Sequence, residues 1–158
     1  MKIFIKLIDK SLPLPSYQTE GSAAFDLYSR KSVKIKPRVV EKVPLNVVIQ
    51  LSKDNWLLMA ARSSLYKKGL MLINGIGVGD YDFRGPNDEY QAALYNFSDA
   101  EVEIEKGERL TQAIILPREK AQIEEIEEVE EDINRGGFPL SKRNLPVNIP
   151  ISPVTLSI

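Results

Sequence analysis

The side chains that could do chemistry in this chain are limited by two absences. Its 158 residues include no histidine and no cysteine. Neither a Ser-His-Asp triad nor a thiolate nucleophile can therefore exist, and any general base must be an aspartate, a glutamate, a lysine or a tyrosine. Zinc sites with His and Cys ligands, as in nucleobase deaminases, are excluded for the same reason. Oxygen ligands could still hold a divalent cation, and they favour magnesium over zinc.

The most suggestive spacing is a glycine-rich segment that leads into an acidic turn. Gly75, Gly77 and Gly79 alternate directly before Asp80, and residues 81–85 continue the segment as Tyr-Asp-Phe-Arg-Gly. Alternate residues of a strand lie on one face, so three glycines would leave a bare face of peptide groups. The edge of a planar ligand could pair with those groups. A bulged hairpin around a tight turn explains the same pattern without a ligand.

The elements that must position these residues have the patterns of β-strands. Apolar and polar residues alternate in some segments, and others are short apolar runs between turn residues. Strands are predicted at residues 3–7, 33–35, 47–49, 56–60, 102–104 and 113–116. Many short strands at this spacing predict an all-β sandwich or barrel-like domain.

Three segments depart from the strand pattern. Residues 62–71 are predicted to form a short helix or turn that leads into a strand. Residues 119–132 contain eight acidic residues and three apolar residues at helical spacing, which indicates a helix with a solvated face. A strand stays an alternative there, and an acidic interaction tail is a less favoured one. Residues 139–158 hold four of the ten prolines, which predicts an extended arm.

Charge and hydropathy give no reason to expect a nucleic-acid or membrane partner. The chain has 21 basic and 22 acidic residues, for a net charge of -1, so long-range steering onto a polyanion is not expected. No stretch approaches the roughly 18 apolar residues of a membrane span. Lys2 and Lys6 interrupt the apolar N-terminus, so no signal peptide is predicted. We expect a cytoplasmic protein.

Four segments occur in a fixed order along the chain: residues 21–28 (Gly-Ser-Ala-Ala-Phe-Asp-Leu-Tyr), 61–65 (Ala-Arg-Ser-Ser-Leu), 77–85 (Gly-Val-Gly-Asp-Tyr-Asp-Phe-Arg-Gly) and 107–114 (Gly-Glu-Arg-Leu-Thr-Gln-Ala-Ile). Each resembles one motif of the trimeric dUTPase family, the deoxyuridine 5'-triphosphate nucleotidohydrolases. The resemblance implies a jelly-roll-like subunit of a homotrimer with shared active sites. It also implies magnesium-dependent hydrolysis of dUTP to dUMP and pyrophosphate.

The resemblance assigns a role to individual residues on the reacting side of the substrate. Asp80 matches the general base, which orients and deprotonates the water that attacks the α-phosphorus. Asp82 is interpreted as a structural neighbour. Asp26 matches an aspartate that acts on magnesium indirectly, through water. The residues that match triphosphate contacts are Arg62, Ser63, Ser64 and Gln112.

The nucleoside side of the substrate has its own matches. Asn74 and the backbone of Gly77 fall where the family recognises uracil, and an Asn side chain offers both a donor and an acceptor. Phe83 stands where the family usually has a tyrosine beneath the deoxyribose. Packing of that ring leaves no room for a ribose 2'-hydroxyl, and phenylalanine keeps the ring.

The family's fifth, C-terminal motif is altered in this chain. Residues 134–138 read Asn-Arg-Gly-Gly-Phe, but 139–142 read Pro-Leu-Ser-Lys where the family has Gly-Ser-Thr-Gly. Phe138 could stack on uracil and Arg135 could reach the γ-phosphate. Pro139 lacks an N–H and has a fixed φ, so closure of the arm should be impaired. We predict a β domain over residues 1–133 and an arm over 134–158.

Two other functions stay open at this stage. The first is deamination of dCTP, alone or combined with dUTP hydrolysis, because residues 62–65 and 68–71 resemble dCTP deaminase as well. That reaction requires a glutamate where this chain has Ala93, and Glu89 is displaced by four residues. The second is a non-catalytic trimer that binds nucleotide, which the altered fifth motif would suit.

The altered arm yields a direct prediction. Replacement of residues 139–142 by Gly-Ser-Thr-Gly should raise kcat/KM for dUTP, because the restored glycines and hydroxyls let the arm close over the triphosphate. Steady-state pyrophosphate release measures the effect. An unchanged kcat/KM would show that the substituted arm does not limit the enzyme.

Overall fold

Short strands make up almost all of the regular structure in residues 1–128, the part of the chain described by the computed structural model. A single 3-10 helix, Leu65–Lys68, interrupts the strands of this part and ends at Gly69, whose φ of 77° is left-handed. The strands are β1 (Phe4–Leu7), β2 (Phe25–Tyr28), β3 (Val33–Ile35), β4 (Val40–Pro44), β5 (Val47–Gln50), β6 (Asn55–Ala61), β7 (Leu70–Leu72), β8 (Gly77–Gly79), β9 (Gln91–Asn96), β10 (Val102–Ile104) and β11 (Arg109–Pro117). The prediction of an all-β fold is confirmed.

The strands pair antiparallel in four small sheets. The largest has the order β2-β11-β6-β8, and a three-stranded sheet has the order β4-β9-β7. The pairs β1-β5 and β3-β10 complete the arrangement. Each of the six predicted strand segments overlaps an observed strand, and residues 62–71 form the predicted helical turn before β7.

The core lies between these sheets because each strand turns one set of alternate residues inward. On β6, Leu57 and Met59 are buried, whereas Leu58 and Ala60 are only half-buried on the other face. On β9, Ala92 and Leu94 are fully buried. Burial of large aliphatic side chains supplies the main stabilisation, about 1.5–3 kcal/mol for each.

The acidic segment does not adopt the helix that its spacing indicates. Residues 119–128 are in neither a helix nor a strand. Ile123 and Ile126 are 94% and 66% exposed, so neither forms the buried stripe that stabilises an amphipathic helix. Residues 129–132 and the predicted arm, 134–158, lie outside the described part. Within the described part, no helix has the length and apolar character that crossing a bilayer demands.

The buried hydroxyl of Thr111 provides a test of the packing. Thr111, on β11, is fully buried, and its hydroxyl has no hydrogen-bond partner among the described residues. Thr111→Val keeps the branched shape and removes an unpaired polar atom, so it should raise the free energy of unfolding by about 1 kcal/mol. Urea denaturation at a fixed protein concentration measures this change.

The matched variant Thr111→Ser keeps the hydroxyl and loses the methyl group, so it should lower the stability instead. A valine variant less stable than the wild type would mean that the hydroxyl has a partner in solution.

Candidate active site

Seven of the predicted site residues line two separate clefts. The ribbon cleft, of about 440 Å³, lies beside β8 and is lined by Asn74, Gly77 and Phe83 among others. The arginine cleft, of about 370 Å³, lies over β2 and β11 and is lined by residues from all three of the other motifs. The predicted residues at this second cleft are Asp26, Arg62, Ser63 and Gln112.

Strand register assigns Gly77 of the ribbon cleft and the Gln112–Asp26 pair of the arginine cleft to opposite faces of the four-stranded sheet. Gly77 pairs with Met59, which in turn pairs with the buried Ala113 on the core face. Gln112 is next to Ala113 and pairs with Asp26. Because neighbouring residues of a strand point to opposite faces, Gln112 and Asp26 lie on the face away from the core.

The glycine segment differs from the expected bare face. Gly75 is not in the strand: it follows Asn74 in a turn and has a φ of 71°. Only Gly77 and Gly79 belong to β8, and side chains already cover their face. A Cβ at Gly77 would come within 2.8 Å of the Met59 methyl, and one at Gly79 would overlap the Tyr90 hydroxyl. The glycines therefore admit the protein's own side chains, and the expectation of an open face is wrong.

A ligand could instead pair with the peptide groups at the outer edge of β8. β8 is an edge strand that pairs only with β6 within residues 1–128, so its outer peptide groups are free to pair with a planar ligand. Asn74 stands at the same cleft, and its side-chain amide donates to the carbonyl of Ile76 at 2.7 Å. Its side-chain oxygen remains an acceptor.

Two aromatic rings form one wall of the ribbon cleft. Phe83 is 39% exposed, and its ring meets the ring of Tyr90 edge to face, with centroids 5.2 Å apart. Burial, and then the negative charges of Asp80 and Asp88, raise the pKa of Tyr90 to about 12. The tyrosine is therefore neutral at physiological pH and cannot act as a base there.

Asp80 is held at the start of the turn that follows β8. Its carbonyl accepts a hydrogen bond from the backbone N–H of Phe83 at 3.2 Å. The next residue, Tyr81, has the guanidinium groups of Arg84 and Arg118 at 5.7 and 5.0 Å from its ring centroid. Arg118 also donates from Nε to the carbonyl of Lys53 at 2.9 Å. These cation–π contacts tie the turn to the β5-β6 connection.

The Asp80 carboxylate itself is exposed and takes part in none of the seven ion pairs within residues 1–128. It does not line either cleft, although Val78 and Phe83 on both sides of it line the ribbon cleft. A carboxylate in this state can accept a hydrogen bond from water.

A buried carboxylate organises the arginine cleft. The side chain of Asp26 is 8% exposed, and its Oδ1 forms an ion pair with Nε of Arg62 at 2.8 Å. Its Oδ2 accepts from Nη1 of Arg109 at 3.2 Å. A buried charge is costly unless it is paired, and here two arginines share it. Because Asp26 bonds Arg62 through Nε, the terminal nitrogens of Arg62 remain available to an anion.

The remaining residues predicted to contact phosphate differ in whether they line the arginine cleft. Gln112 donates from Nε2 to the carbonyl of Ala61 at 3.1 Å and so fixes the chain just before Arg62. Ser63 is exposed at the cleft. Ser64 precedes the 3-10 helix, makes no side-chain cap and does not line the cleft. The predicted contacts from Arg135 and Phe138 lie outside the described residues.

The donor set has limited capacity for a metal ion. Residues 1–128 contain no group of three or more acidic side chains that could hold one. Both oxygens of Asp26 are already paired with arginines. These residues suit an ion that is carried by an anionic ligand and approached through water, as magnesium is at phosphate sites.

Sequence reasoning missed one residue that lines a cleft, Tyr90, and two that support the cleft walls, Arg109 and Arg118. Arg109 lies within the fourth matched segment, and its spacing from Gln112 was the available signal. Tyr90 and Arg118 gave no local signal, because their contacts with Phe83 and Tyr81 arise only from packing.

Comparison with known proteins places these features in a family. The dUTPase family model matches residues 10–141. The deoxyuridine 5'-triphosphate nucleotidohydrolase of Helicobacter pylori (strain P12) is 35% identical over 140 residues, which cover 87% of this chain and 94% of the relative. The corresponding protein of Nautilia profundicola is also 35% identical over 140 residues, with coverage of 87% and 96%.

Solved structures agree with this result. The dUTPase of Streptococcus mutans is 31% identical, has a TM-score of 0.69 and covers 75% of this chain and 98% of its own. The dUTPase of Staphylococcus bacteriophage 80alpha, solved with dUPNHPP, has a TM-score of 0.76 at 21% identity, with coverage of 86% and 94%, and so shares the fold. The resemblance read from the four motifs and the dUTPase-like fold are both confirmed. The chain belongs to the dUTPase family of deoxyuridine 5'-triphosphate nucleotidohydrolases.

Proposed function

We propose that this dUTPase hydrolyses dUTP to dUMP and pyrophosphate in active sites shared between the subunits of a homotrimer. A water molecule attacks the α-phosphorus in line, and Asp80 orients it and accepts its proton. The observation that supports this proposal most directly is the division of the matched residues between two separate clefts, with Gly77 on one face of the sheet and the Gln112–Asp26 pair on the other.

This division calls for a second subunit. One dUTP molecule must contact both the nucleoside residues and the triphosphate residues. Within one chain, Gly77 and Asp26 lie on the outer strands β8 and β2, three strand spacings or about 14 Å apart. A symmetric assembly that brings the ribbon cleft of one subunit against the arginine cleft of its neighbour joins both sets around one substrate.

The chemistry suits a chain without histidine. The bond from the water oxygen to the α-phosphorus forms as the bond to the bridging oxygen breaks, pyrophosphate leaves, and the proton passes to the Asp80 carboxylate. The exposed state of that carboxylate supports this role, since it has no cationic partner within residues 1–128 to compete for its oxygens.

The arginine cleft supplies fixed positive charge to the triphosphate. Asp26 holds Arg62 through Nε, so the guanidinium is oriented before substrate binds and loses little freedom on binding. Ser63 adds a hydroxyl donor, and Gln112 keeps the segment before Arg62 in place. Ser64, which lies outside the cleft of its own subunit, is a weaker candidate for contact.

Magnesium is proposed as the cofactor, carried by the triphosphate and contacted by the protein through water. When bound, the ion would supply positive charge that offsets the charge of the leaving pyrophosphate. The chain's own contribution is Asp26, which holds the two arginines whose charge acts on the same phosphates.

The nucleoside is proposed to occupy the ribbon cleft. The free edge of β8 at Gly77 and the side-chain oxygen of Asn74 offer donors and an acceptor that suit the edge of uracil. Phe83, exposed at the cleft wall, would lie beneath the deoxyribose. From the C-terminal arm, Arg135 and Phe138 are proposed to contact the γ-phosphate and uracil.

The geometry disfavours deamination of dCTP. Ala93 lines the ribbon cleft but has no group that can move a proton. Glu89 lines it too, but Arg30 donates to its two oxygens at 2.7 and 3.0 Å, and the backbone N–H of Asn46 donates to Oε1 at 2.9 Å. A carboxylate with these partners serves as a structural anchor.

The role of Asp80 can be tested with a neighbouring control. Asp80→Asn should reduce pyrophosphate release from dUTP by at least about a hundredfold, because the amide cannot accept the proton. Asp82→Asn, which removes another exposed carboxylate of the same turn, should leave the rate little changed. Both are assayed with magnesium and dUTP, dCTP, dTTP and UTP, and scored for pyrophosphate and ammonia.

Ammonia from dCTP would favour the deaminase instead. Tight binding of dUPNHPP without turnover of dUTP would favour a non-catalytic trimer. Equal rates of pyrophosphate release for Asp80→Asn and Asp82→Asn would show that Asp80 is not the general base.

Sharing of the site between subunits can be tested by mixing inactive variants. Subunits carrying Asp80→Asn and subunits carrying Arg62→Ala are unfolded together, refolded together and assayed. If each site takes Asp80 from one subunit and Arg62 from another, random mixing in equal amounts restores about a quarter of the wild-type sites. Separately refolded variants are the control. If both residues act within one subunit, mixing restores nothing. Light scattering near three times 17.8 kDa tests the trimer.

A further inference from the structure

Tyr90 is buried in the wall of the ribbon cleft without a role in the proposed chemistry. It is 6% exposed, and its hydroxyl has no hydrogen-bond partner among the described residues. Its ring nevertheless contacts both parts of the segment that carries Asp80. The ring lies edge to face against Phe83 at an interplanar angle of 84°, and its hydroxyl lies against Gly79.

The position of Tyr90 is fixed from several directions. Its backbone N–H donates to the carbonyl of Val47 at 3.0 Å, and its carbonyl accepts from Leu45 at 2.9 Å. The preceding residue, Glu89, is anchored by its two hydrogen bonds from Arg30. Tyr90 is therefore tied to β5 and to the turn before it, both of which belong to the rigid sheet region.

Phe83 has much weaker support of its own. It lies in the turn between Asp80 and Gly85, outside any strand, and its ring is 39% exposed. Among the described residues, the one aromatic ring in contact with it is Tyr90. A ring on a turn keeps a single orientation only if a fixed neighbour restricts its rotation, and Tyr90 is that neighbour.

We propose that Tyr90 is a positioning residue that sets the plane of the Phe83 ring against the sugar and thereby determines the selectivity for deoxyribose over ribose. This inference rests on the proposed function, in which Phe83 lies beneath the deoxyribose. With Phe83 held by the Tyr90 ring, a ribose 2'-hydroxyl has no room. With Tyr90 truncated, Phe83 can swing away and admit UTP.

Gly79 allows Tyr90 to contact β8 in addition to Phe83. Its lack of a Cβ lets the Tyr90 hydroxyl reach β8, so the tyrosine packs against the strand end that precedes Asp80 as well as against Phe83. Gly79 thus makes room for Tyr90, one of the two rings that shape the cleft.

The test compares two substitutions at one position. Tyr90→Leu removes the ring edge and keeps apolar bulk, whereas Tyr90→Phe keeps the ring and removes only the unpaired hydroxyl. The measured quantity is kcat/KM for dUTP divided by kcat/KM for UTP. We expect the ratio to fall about three- to tenfold in Tyr90→Leu, as the loss of one aromatic edge contact implies, and to be retained in Tyr90→Phe.

A double substitution links the effect to Phe83. In a Phe83→Leu background, Tyr90→Leu should cause little further loss of selectivity, because the ring that it positions is already gone. Circular dichroism and the thermal unfolding midpoint, measured for every variant, identify one that has merely failed to fold. Tyr90→Phe should unfold at the wild-type temperature or above it, since it loses an unpaired buried hydroxyl.

Three outcomes would overturn the inference. A folded Tyr90→Leu enzyme with wild-type selectivity would show that Phe83 needs no support. Equal loss of selectivity in Tyr90→Phe would show that the hydroxyl of Tyr90, and not its ring, positions Phe83. Additive losses in the double variant would show that Tyr90 acts independently of Phe83. A wild-type protein that does not hydrolyse dUTP would instead refute the proposed function.

Discussion

The alternation of side chains across the β2-β11-β6-β8 sheet is the constraint on which the rest of the structure depends. Gln112 pairs with Asp26 on the face away from the core, while its neighbour Ala113 pairs with Met59, the partner of Gly77, on the core face. Residues at these register positions cannot exchange faces without reversing the whole strand. In the proposed mechanism, one chain therefore holds two half-sites, and an assembly of chains completes them.

The arginine half-site depends on a single buried charge. Asp26 is the shared partner of Arg62 and Arg109, and the three residues come from three different segments of the chain. Loss of the carboxylate would leave two guanidinium groups side by side, so the three segments form one electrostatic unit. Pairing through Nε orients Arg62, while its exposed end stays available to phosphate oxygens.

The ribbon half-site is built from packing in place of charge. Met59 and Tyr90 fill the space that Gly77 and Gly79 leave, so the glycines admit protein side chains rather than a ligand face. The nucleoside contacts proposed here are the unpaired edge of β8 and the exposed ring of Phe83. Glu89, anchored by Arg30, connects this wall to the rest of the fold.

The sequence alone determined six of the eleven strands found in residues 1–128, because a period of two or a short apolar run is visible locally in residues such as 102–104 and 113–116. It also determined the family, through four ordered segments that contain Asp26, Arg62, Asp80 and Gln112. It indicated a helix for residues 119–128, but within the described part these residues have no packing partner that would stabilise one. It also placed Gly75 on a strand face, whereas Gly75 lies in a turn whose conformation depends on its neighbours. Only the tertiary structure decided that the site residues occupy two faces and that Arg109, Arg118 and Tyr90 support them. Such contacts join residues far apart in the chain, and distance in space is not encoded in local spacing.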